Sequence, residues 1–200
     1  MTRIGVLALQ GDVEEHIAAL RRAGGDPFEV RNCADLAQAD ALVIPGGEST
    51  TVMKLLTRSA LDRPIVERVH AGMPLWGTCM GMIVAARDVA GLEQSTLDLI
   101  DITVRRNAFG RQNESVEVEL PIPALGEPPF RAIFIRAPWI ERYGPKVERL
   151  AERNGRGVMV REGSVLATSF HPELSDDLRV HRYFLQMIVD SQAGKAPTAA

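Results

Sequence analysis

The first half of the chain alternates short apolar runs with longer stretches in which apolar residues recur at helical spacing. The first run, residues 4–9, is typical of a strand that is buried on both faces of a parallel sheet. A helical stripe follows over 13–20, and apolar runs at 28–30 and 41–44 predict a second and a third strand. This alternation favours right-handed crossovers between parallel strands and therefore predicts an α/β sheet.

The second half of the chain carries patterns of antiparallel strands. Polar and apolar residues alternate over 114–120, and a hairpin is predicted over 157–167 with its turn at Glu162-Gly163. We therefore expect an open, mixed, mostly parallel sheet that is extended by antiparallel strands and flanked by helices. Because 200 residues that are 46% hydrophobic suit one core, we expect a single domain over 1–191 and a disordered tail over 192–200.

The composition narrows the classes of partner and compartment. The formal net charge is −3, and no run of lysine or arginine marks a nucleic-acid surface. No apolar run is long enough to span a membrane and no signal-peptide pattern is recognisable, so we expect a cytoplasmic protein that binds neither nucleic acid nor membrane. Cys33 and Cys79 are expected to be free thiols in a reducing compartment. Without metal-ligand spacing or a nucleotide-binding motif, we expect neither a metal nor a cofactor.

A cysteine stands at the centre of the strongest local motif. Residues 74–83 predict an apolar strand that runs into a sharp turn and a helix, with Gly77 and Gly81 two positions either side of Cys79. This is the spacing of a nucleophile elbow. The N-terminus of the helix that follows, predicted from Met80 to about Arg87, favours a thiolate over a thiol. An inert buried cysteine remains the alternative that this motif alone leaves open.

A histidine that ends a predicted strand is the candidate base. His171, Pro172 and Glu173 follow the apolar run 165–170. Residues two apart on an extended backbone point the same way, and Pro172 favours an extended residue before it. We therefore predict that Glu173 holds the imidazole while His171 accepts the proton of Cys79. The other histidines fall in predicted amphipathic helices, where surface or boundary positions are expected: His16, His70 and His181.

Two further loops follow predicted strands. Gly46 and Gly47 can leave backbone N–H groups bare for an oxyanion or another anion, although an ordinary turn with Ser49 or Thr50 as helix cap fits equally well. The loop 105–111 carries three arginines and is either a solvated turn or a clamp for a substrate carboxylate. The glycine pair and the cysteine elbow both lie at the carboxyl ends of strands, where ligands collect in open sheets.

Two polar residues are predicted helix N-caps. Asp12 stands before the first helical stripe, with Glu15 three residues later as its capping-box partner. Ser175 stands before the last predicted helix, with Asp176 and Asp177 in its first turn.

Several strings taken together carry a family resemblance: Leu9-Gln10-Gly11-Asp12, Pro45-Gly46-Gly47-Glu48-Ser49-Thr50, Gly77-Thr78-Cys79-Met80-Gly81, Arg106-Asn107-Ala108-Phe109-Gly110-Arg111 and His171-Pro172-Glu173. They closely resemble the family of glutaminase subunits of pyridoxal 5'-phosphate synthase, within the class I (triad) glutamine amidotransferases. The resemblance spans Met1 to about Val189. It implies a flavodoxin-like α/β fold and hydrolysis of L-glutamine to L-glutamate and ammonia.

The resemblance also implies roles for individual residues. Cys79 would attack the glutamine amide, His171 would serve as base and then acid, and Glu173 would orient His171. Backbone N–H groups around Gly47 and Met80 would stabilise the oxyanion. The family usually has alanine where this chain has Met80, a change that brings a larger side chain to the pocket. The resemblance places the following residues in the glutamine site: Gly46, Gly47, Glu48, Ser49, Arg106, Ile135 and Arg136.

A partner chain is implied as well, because in the family the ammonia passes to a synthase subunit that makes pyridoxal 5'-phosphate. The residues implied at that interface are Gln10, Asp12, Glu15 and His16. Alternatives to this reading are a glutaminase of another synthase, an autonomous γ-glutamyl hydrolase, and a catalytically silent binding or redox-sensing module on the same fold.

Overall fold

A mixed ten-stranded sheet and a separate two-stranded sheet organise the structure, a computed structural model that describes residues 2–106 and 115–194. The strands are β1 (Arg3–Leu7), β2 (Asp26–Val30), β3 (Ala41–Ile44), β4 (Leu75–Thr78), β5 (Ala86–Val89), β6 (Ile100–Arg105), β7 (Ser115–Leu120), β8 (Phe130–Ile135), β9 (Trp139–Tyr143), β10 (Glu148–Arg153), β11 (Arg156–Glu162) and β12 (Val165–Thr168). The α-helices are α1 (Val13–Arg22), α2 (Cys33–Ala37), α3 (Ser49–Arg58), α4 (Asp62–His70), α5 (Met80–Ala85) and α6 (Arg179–Ala193).

Five parallel strands form one half of the large sheet, in the order β2-β1-β3-β4-β12. The sheet continues through β11, β9 and β6, which pair antiparallel, and ends at β5, while β10 pairs with β11. Every residue of β3, β4 and β12 is buried, as expected for mostly apolar strands between two helical layers. The predicted α/β fold with a mixed, mostly parallel sheet is confirmed.

Two apolar clusters cover opposite faces of the parallel strands. Leu42 and Ile44 of β3 belong to a cluster with apolar residues of α3, α4 and α5. Ala41 and Val43 of the same strand belong to a cluster with residues of α1 and α6. Because side chains alternate along a strand, these clusters lie on the two sides of the sheet. Helices on both faces leave only the strand ends open for a site.

Some elements differ from the sequence-based prediction. The alternating strand β7 does not extend the large sheet, because it pairs with β8 in the separate sheet over the full register from Ser115 to Leu120. Helix α5 stops at Ala85 rather than near Arg87, because the next residues pair with β6 as strand β5. The predicted hairpin is formed by β11 and β12, but its turn lies one residue later than predicted, at Gly163 and Ser164, because Glu162 still pairs with Val165.

The last helix starts later than predicted. Ser175 does not cap it: the Ser175 Oγ accepts a hydrogen bond from the N–H of Asp177 at 3.1 Å, in a turn before α6. Helix α6 begins at Arg179 and continues to Ala193, two residues beyond the predicted domain boundary. The rest of the predicted tail, residues 195–200, lies outside the described residues.

Both cysteines are free thiols, and Cys33 is exposed whereas Cys79 is buried. Within the described residues, no helix combines the length and the apolar character that crossing a membrane requires.

Candidate active site

Cys79 occupies a strained turn between β4 and α5. Its φ is 49° and its ψ is −104°, a conformation that L-residues rarely adopt. A Cβ on Gly77 would lie 2.4 Å from the carbonyl oxygen of Gly81, and one on Gly81 would lie 2.1 Å from the carbonyl oxygen of Ile44. The two glycines are therefore required for the chain to turn this tightly beside β3, which is the geometry of a nucleophile elbow.

His171 lies beside this elbow because β12 and β4 are parallel neighbours. Thr168 pairs with Thr78, so the residues that follow both strands leave the sheet at the same edge. The imidazole Nδ1 of His171 lies 2.6 Å from Oε1 of Glu173, whose side chain is fully buried. The Cys79 thiol donates to the carbonyl oxygen of Ile135 at 3.8 Å, and Cys79 and His171 line the same cavity. The sheet thus brings together a thiol, an imidazole and a carboxylate.

The surroundings of His171 favour its protonated form. Burial lowers the pKa of His171, but the interactions with Asp12, Cys79 and Glu173 outweigh burial and raise this pKa above its usual value. An imidazolium beside a cysteine places a proton donor next to the sulfur. The arrangement can therefore hold a nucleophilic sulfur next to a proton donor, as acyl transfer requires.

Glu173 reaches His171 by a turn rather than along an extended backbone. Residues Pro172–Leu174 form a short 3-10 helix, and His171 before it has a φ of −105° and a ψ of 84°. The N–H of Leu174 donates to the carbonyl oxygen of His171 at 3.3 Å. The predicted extended geometry was wrong, since this turn folds the Glu173 carboxylate back towards Nδ1.

A second carboxylate, that of Asp12, faces the same imidazole nitrogen. Its Oδ2 lies 3.5 Å from Nδ1 of His171, and this hydrogen bond is the main cause of a lowered pKa at Asp12. The predicted capping box with Glu15 was wrong, because the Asp12 carboxylate makes no capping hydrogen bond to α1. The signal that sequence reasoning passed over is position: Asp12 follows β1, whose carboxyl end opens on the same edge as the elbow.

The same residues are the only described group with the composition for a metal site. Asp12, His171 and Glu173 offer ligand atoms that lie within 4.8 Å of one another. The 2.6 Å contact between Nδ1 and Glu173 is the length of a charge-assisted hydrogen bond and suits proton transfer.

A cavity of about 360 Å³ opens onto the cysteine and the histidine. A cavity of this size fits a small metabolite. Gly46 and Glu173 do not line it; a Cβ on Gly46 would lie 2.6 Å from Cε1 of His171, so Gly46 allows the imidazole its place. Sequence reasoning missed Ile83 and Pro138, whose apolar side chains carry no signal of a site. Gln10 and Asp12, which were predicted at the partner interface, also line the cavity. The lining residues that were predicted for the site itself are Gly47, Glu48, Ser49, Cys79, Met80, Arg106, Ile135, Arg136 and His171.

Gly47 and Met80, the two candidate oxyanion donors, meet at one wall of this cavity. Gly47 has a φ of 151°, which is open to glycine and rarely to other residues. The terminal methyl group of Met80 lies 3.4 Å from the position of a Cβ on Gly47. The Met80 side chain is buried and packs with the apolar core, so it forms part of the wall without filling the pocket.

Glu48 caps helix α3. Its carboxylate accepts hydrogen bonds from the backbone N–H groups of Thr50 at 3.2 Å and Thr51 at 2.7 Å. The predicted caps Ser49 and Thr50 were wrong, because Glu48 already satisfies these donors. Burial acts to raise the pKa of Glu48, but the hydrogen bonds from Thr50 and Thr51 outweigh it and lower the pKa to about 2.

Arg106 pairs with this ionised carboxylate at the cavity rim. Its guanidinium donates to Glu48 at 2.9 Å and to the side-chain oxygen of Gln94 at 3.0 Å, and the Ser49 hydroxyl donates to the same oxygen at 3.3 Å. Gln94 was missed because nothing in its sequence surroundings distinguishes it. The rest of the arginine-rich loop, 107–111, lies outside the described residues.

The predicted interface residues differ in how exposed they are to solvent. Gln10 and Glu15 are exposed at the surface around Asp12. His16 is fully buried, with its Nε2 3.4 Å from Oε2 of Glu173. The predictions of His16 as an interface residue and as a surface histidine were therefore wrong. His181, predicted at a surface or boundary position, is also fully buried.

Comparison with known proteins gives one consistent result. A family model described as the SNO glutamine amidotransferase family matches residues 6–190. The "Pyridoxal 5'-phosphate synthase subunit PdxT" of Acidothermus cellulolyticus is 54% identical over 193 residues, covering 93% of each chain. The protein of the same name from Moorella thermoacetica is 52% identical, covering 93% of this chain and 99% of the relative. A solved structure described as "Crystal structure of glutamine amidotransferase" matches with a TM-score of 0.89 and 47% identity, covering 93% of this chain and 98% of that one.

Proposed function

The chain belongs to the SNO glutamine amidotransferase family, and from that premise we propose that it hydrolyses L-glutamine to L-glutamate and ammonia as a subunit of pyridoxal 5'-phosphate synthase. The observation that carries the proposal is the buried contact of His171 with Glu173 beside the strained Cys79, at the base of a cavity of about 360 Å³. A buried, inert cysteine would need neither the strain nor the hydrogen-bonded histidine.

The reaction proceeds through a thioester. The Cys79 sulfur adds to the side-chain amide carbon of glutamine, and the carbonyl oxygen takes the negative charge. The His171 imidazolium protonates the amide nitrogen, which leaves as ammonia and yields a γ-glutamyl thioester. His171, now neutral, accepts a proton from water, whose oxygen attacks the thioester and releases glutamate. Glu173 holds the imidazole in place and balances its charge throughout.

Backbone N–H groups at Gly47 and Met80 stabilise the oxyanion of both tetrahedral intermediates. Both residues line the cavity next to Cys79. Gly47 can reorient its peptide at little cost because glycine tolerates both signs of φ.

Glu48 and Arg106 recognise the amino-acid end of the substrate. Free glutamine carries an ammonium and a carboxylate, and the ion pair of Glu48 with Arg106 offers a partner to each. The substrate carboxylate binds Arg106, and Ser49 and the backbone around Ile135 and Arg136 complete the site.

Ammonia released here needs a second chain. Ammonia takes up a proton in water and then loses its nucleophilicity, so a synthase subunit that receives it directly is required. The relatives named as pyridoxal 5'-phosphate synthase subunits support such a partner, and exposed Gln10 and Glu15 beside Asp12 offer a surface at the site's edge. Free thiols such as Cys33 and Cys79 are most readily maintained in a reducing compartment, which supports a cytoplasmic location.

The experiment is a glutaminase assay of the purified chain, alone and with a pyridoxal 5'-phosphate synthase subunit in excess. We expect glutamate release to rise strongly with the partner, and Cys79→Ala and His171→Ala to abolish it while the chain remains folded by circular dichroism. Equal activity in both mixtures would indicate an autonomous amide hydrolase instead. Unchanged activity of Cys79→Ala would overturn the chemistry.

A further inference from the structure

A buried histidine that the reaction above does not use contacts Glu173. His16 of α1 and Glu173 are both fully buried, and Nε2 of His16 lies 3.4 Å from Oε2 of Glu173. The other carboxylate oxygen, Oε1, is the one that contacts His171. The two imidazoles therefore approach the two oxygens of a single carboxylate.

We propose that His16 is a positioning residue for the reaction, which holds Glu173 through Oε2 so that Oε1 stays on His171. This inference rests on the proposed glutaminase function of the site. Oε2 of Glu173 has no hydrogen-bond partner among the described residues, and Nε2 of His16 faces it at 3.4 Å. A buried carboxylate oxygen without a donor is costly, so the tautomer of His16 that carries its proton on Nε2 is favoured.

Thr78 shares the same imidazole nitrogen. Its Oγ1 lies 3.0 Å from Nε2 of His16, so in the tautomer with the proton on Nε2 the same N–H faces both the Thr78 hydroxyl and the Glu173 carboxylate. Thr78 immediately precedes Cys79 in β4. His16 thus ties the strand that carries the nucleophile to the carboxylate that orients the base.

His16 keeps the neutral form that this role needs. Burial lowers the pKa of His16 more than the nearby Glu173 raises it, with His171 lowering it further and Asp12 and Glu15 raising it. A neutral donor can steer the Glu173 carboxylate without cancelling the charge that His171 requires.

The same core holds a matched control. His181 is fully buried, and its ring lies 5.1 Å from that of Trp76, while the ring of His16 lies 5.6 Å from Trp76. Neither ring nitrogen of His181 has a hydrogen-bond partner among the described residues. His181 therefore shares the packing of His16 but not its contact with Glu173.

The test compares His16→Phe, His16→Gln, His16→Asn and His181→Phe in the full chain with its synthase subunit. Removing the donor lets Glu173 move, and misplacement on this scale costs about 10- to 100-fold in rate, so we expect His16→Phe to lose that much kcat with KM changed less than about twofold. The glutamine amide nitrogen reaches the place of Nε2 and the asparagine nitrogen does not. We therefore expect His16→Gln to recover most of kcat, His16→Asn to recover little, and His181→Phe to stay near wild type.

Equal losses in His16→Phe and His181→Phe, or in His16→Gln and His16→Asn, would reduce His16 to a packing residue and overturn the proposal. The Gln and Asn pair decides the matter even where the Phe variant does not fold.

A second readout is independent of glutamine. In a Cys33→Ser background, which removes the exposed thiol, iodoacetamide alkylates Cys79 in proportion to its thiolate. A loosened Glu173 supports the His171 imidazolium less well, so alkylation at neutral pH should slow severalfold in His16→Phe and remain unchanged in His181→Phe. If alkylation slows in His16→Phe and not in His181→Phe, but the wild-type chain releases no glutamate, the proposed function is contradicted and the role of His16 is retained. Equal alkylation rates in the two variants would contradict the role of His16.

Discussion

The carboxylates of Glu173 and Asp12 face the same nitrogen of His171. They differ in burial, and therefore in how strongly each interacts with the imidazole. Glu173 is fully buried and makes a contact of 2.6 Å, whereas the Asp12 side chain is 39% exposed and lies 3.5 Å away. Solvent screens the exposed pair, so Asp12 adds a modest charge effect. Glu173 is held by protein on every side and determines where the imidazole points.

Replacing Glu173 by glutamine removes the buried charge while retaining the shape. An amide at this place can stabilise the wrong imidazole tautomer and cannot balance the imidazolium, and the loss expected from such changes is about 10²- to 10⁴-fold in kcat. Steady-state glutaminase kinetics of Glu173→Gln provide the measurement. Glu119→Gln, on the exposed edge of β7, is the control and should match the wild type. A Glu173→Gln variant with full kcat would remove Glu173 from the mechanism.

Replacing Asp12 by asparagine should change how stability depends on pH. The pKa of Asp12 in the folded chain is lowered from its ordinary value of 3.8, mainly by the hydrogen bond with His171. Stability from this pair is therefore complete above the ordinary value and is lost as pH falls through the lowered pKa. We expect Asp12→Asn to be less stable than wild type at pH 7 by less than about 1 kcal/mol, with the difference vanishing in strong acid. Urea unfolding at several pH values measures it, and a difference that grows in acid would contradict the assignment.

At the scale of elements, the turn between β4 and α5 depends on how closely neighbouring backbones approach. Gly81 brings α5 against β3, and Gly77 faces Gly81 across the turn. Helix α3 depends on its first turn, where Glu48 serves both as cap and as a charge at the cavity. The residues at these two helix starts therefore stabilise the local backbone and also shape the site.

Gly81→Ala should disrupt the elbow. The added Cβ would lie 2.1 Å from a backbone oxygen of Ile44, which cannot move without shifting β3. Overpacking of this kind costs about 1–3 kcal/mol or more, and we expect that loss together with a loss of glutaminase activity. At Gly194 the added Cβ meets only ordinary contacts of 3.6 Å or more, so Gly194→Ala is the control. Denaturant unfolding of both variants measures the difference, and equal stabilities would refute the close approach.

Glu48→Gln should affect stability and substrate binding together. The neutral amide is a poorer cap for α3, at a cost of about 1 kcal/mol, and it loses the charge that pairs with Arg106. We expect KM for glutamine to rise about tenfold with a smaller change in kcat, since a binding contact is weakened. Glu67→Gln, which removes an exposed ion pair within α4, should leave KM unchanged. An unaltered KM in Glu48→Gln would exclude Glu48 from the glutamine site.

At the scale of the whole molecule, the parallel half of the sheet gathers the site at one edge. The loops after β1, β3, β4 and β12 all contribute residues to the cavity. Exposed Gln10 and Glu15 lie beside it, on the surface that we propose for the partner. A change on this surface should therefore weaken association without altering the chemistry.

Glu15→Arg tests that surface. Reversing a charge at an interface typically slows association and weakens binding, and we expect the concentration of synthase subunit that half-saturates glutaminase activity to rise about tenfold. The maximal activity at saturating partner should be retained. Glu148→Arg, at an exposed position of β10, is the matched control. If both variants titrate like the wild type, the partner binds elsewhere.

Patterns within a few residues of the sequence predicted the parallel strands and the cysteine elbow. Apolar runs located the parallel strands, the glycines around Cys79 located the elbow, and both features depend on residues close in the chain. The pairing of β7 with β8, outside the large sheet, was not predictable, because an alternating strand shows that one face is wet but not which strand it joins. Asp12 beside His171 and Gln94 beside Arg106 were missed for the same reason: each contact spans a long stretch of chain.

The sequence by itself determined the α/β class, the place of the nucleophile and the strand end that carries His171 and Glu173. These follow from periodicity and from backbone constraints on glycine and proline, which act over a few residues. Only the tertiary structure decided that Asp12 turns away from its helix to face His171, that Glu48 caps α3 while pairing with Arg106, and that His16 lies buried against Glu173. These contacts depend on which strands are neighbours and on which buried polar groups lack hydrogen-bond partners. Neither can be predicted from residues that are close in the sequence.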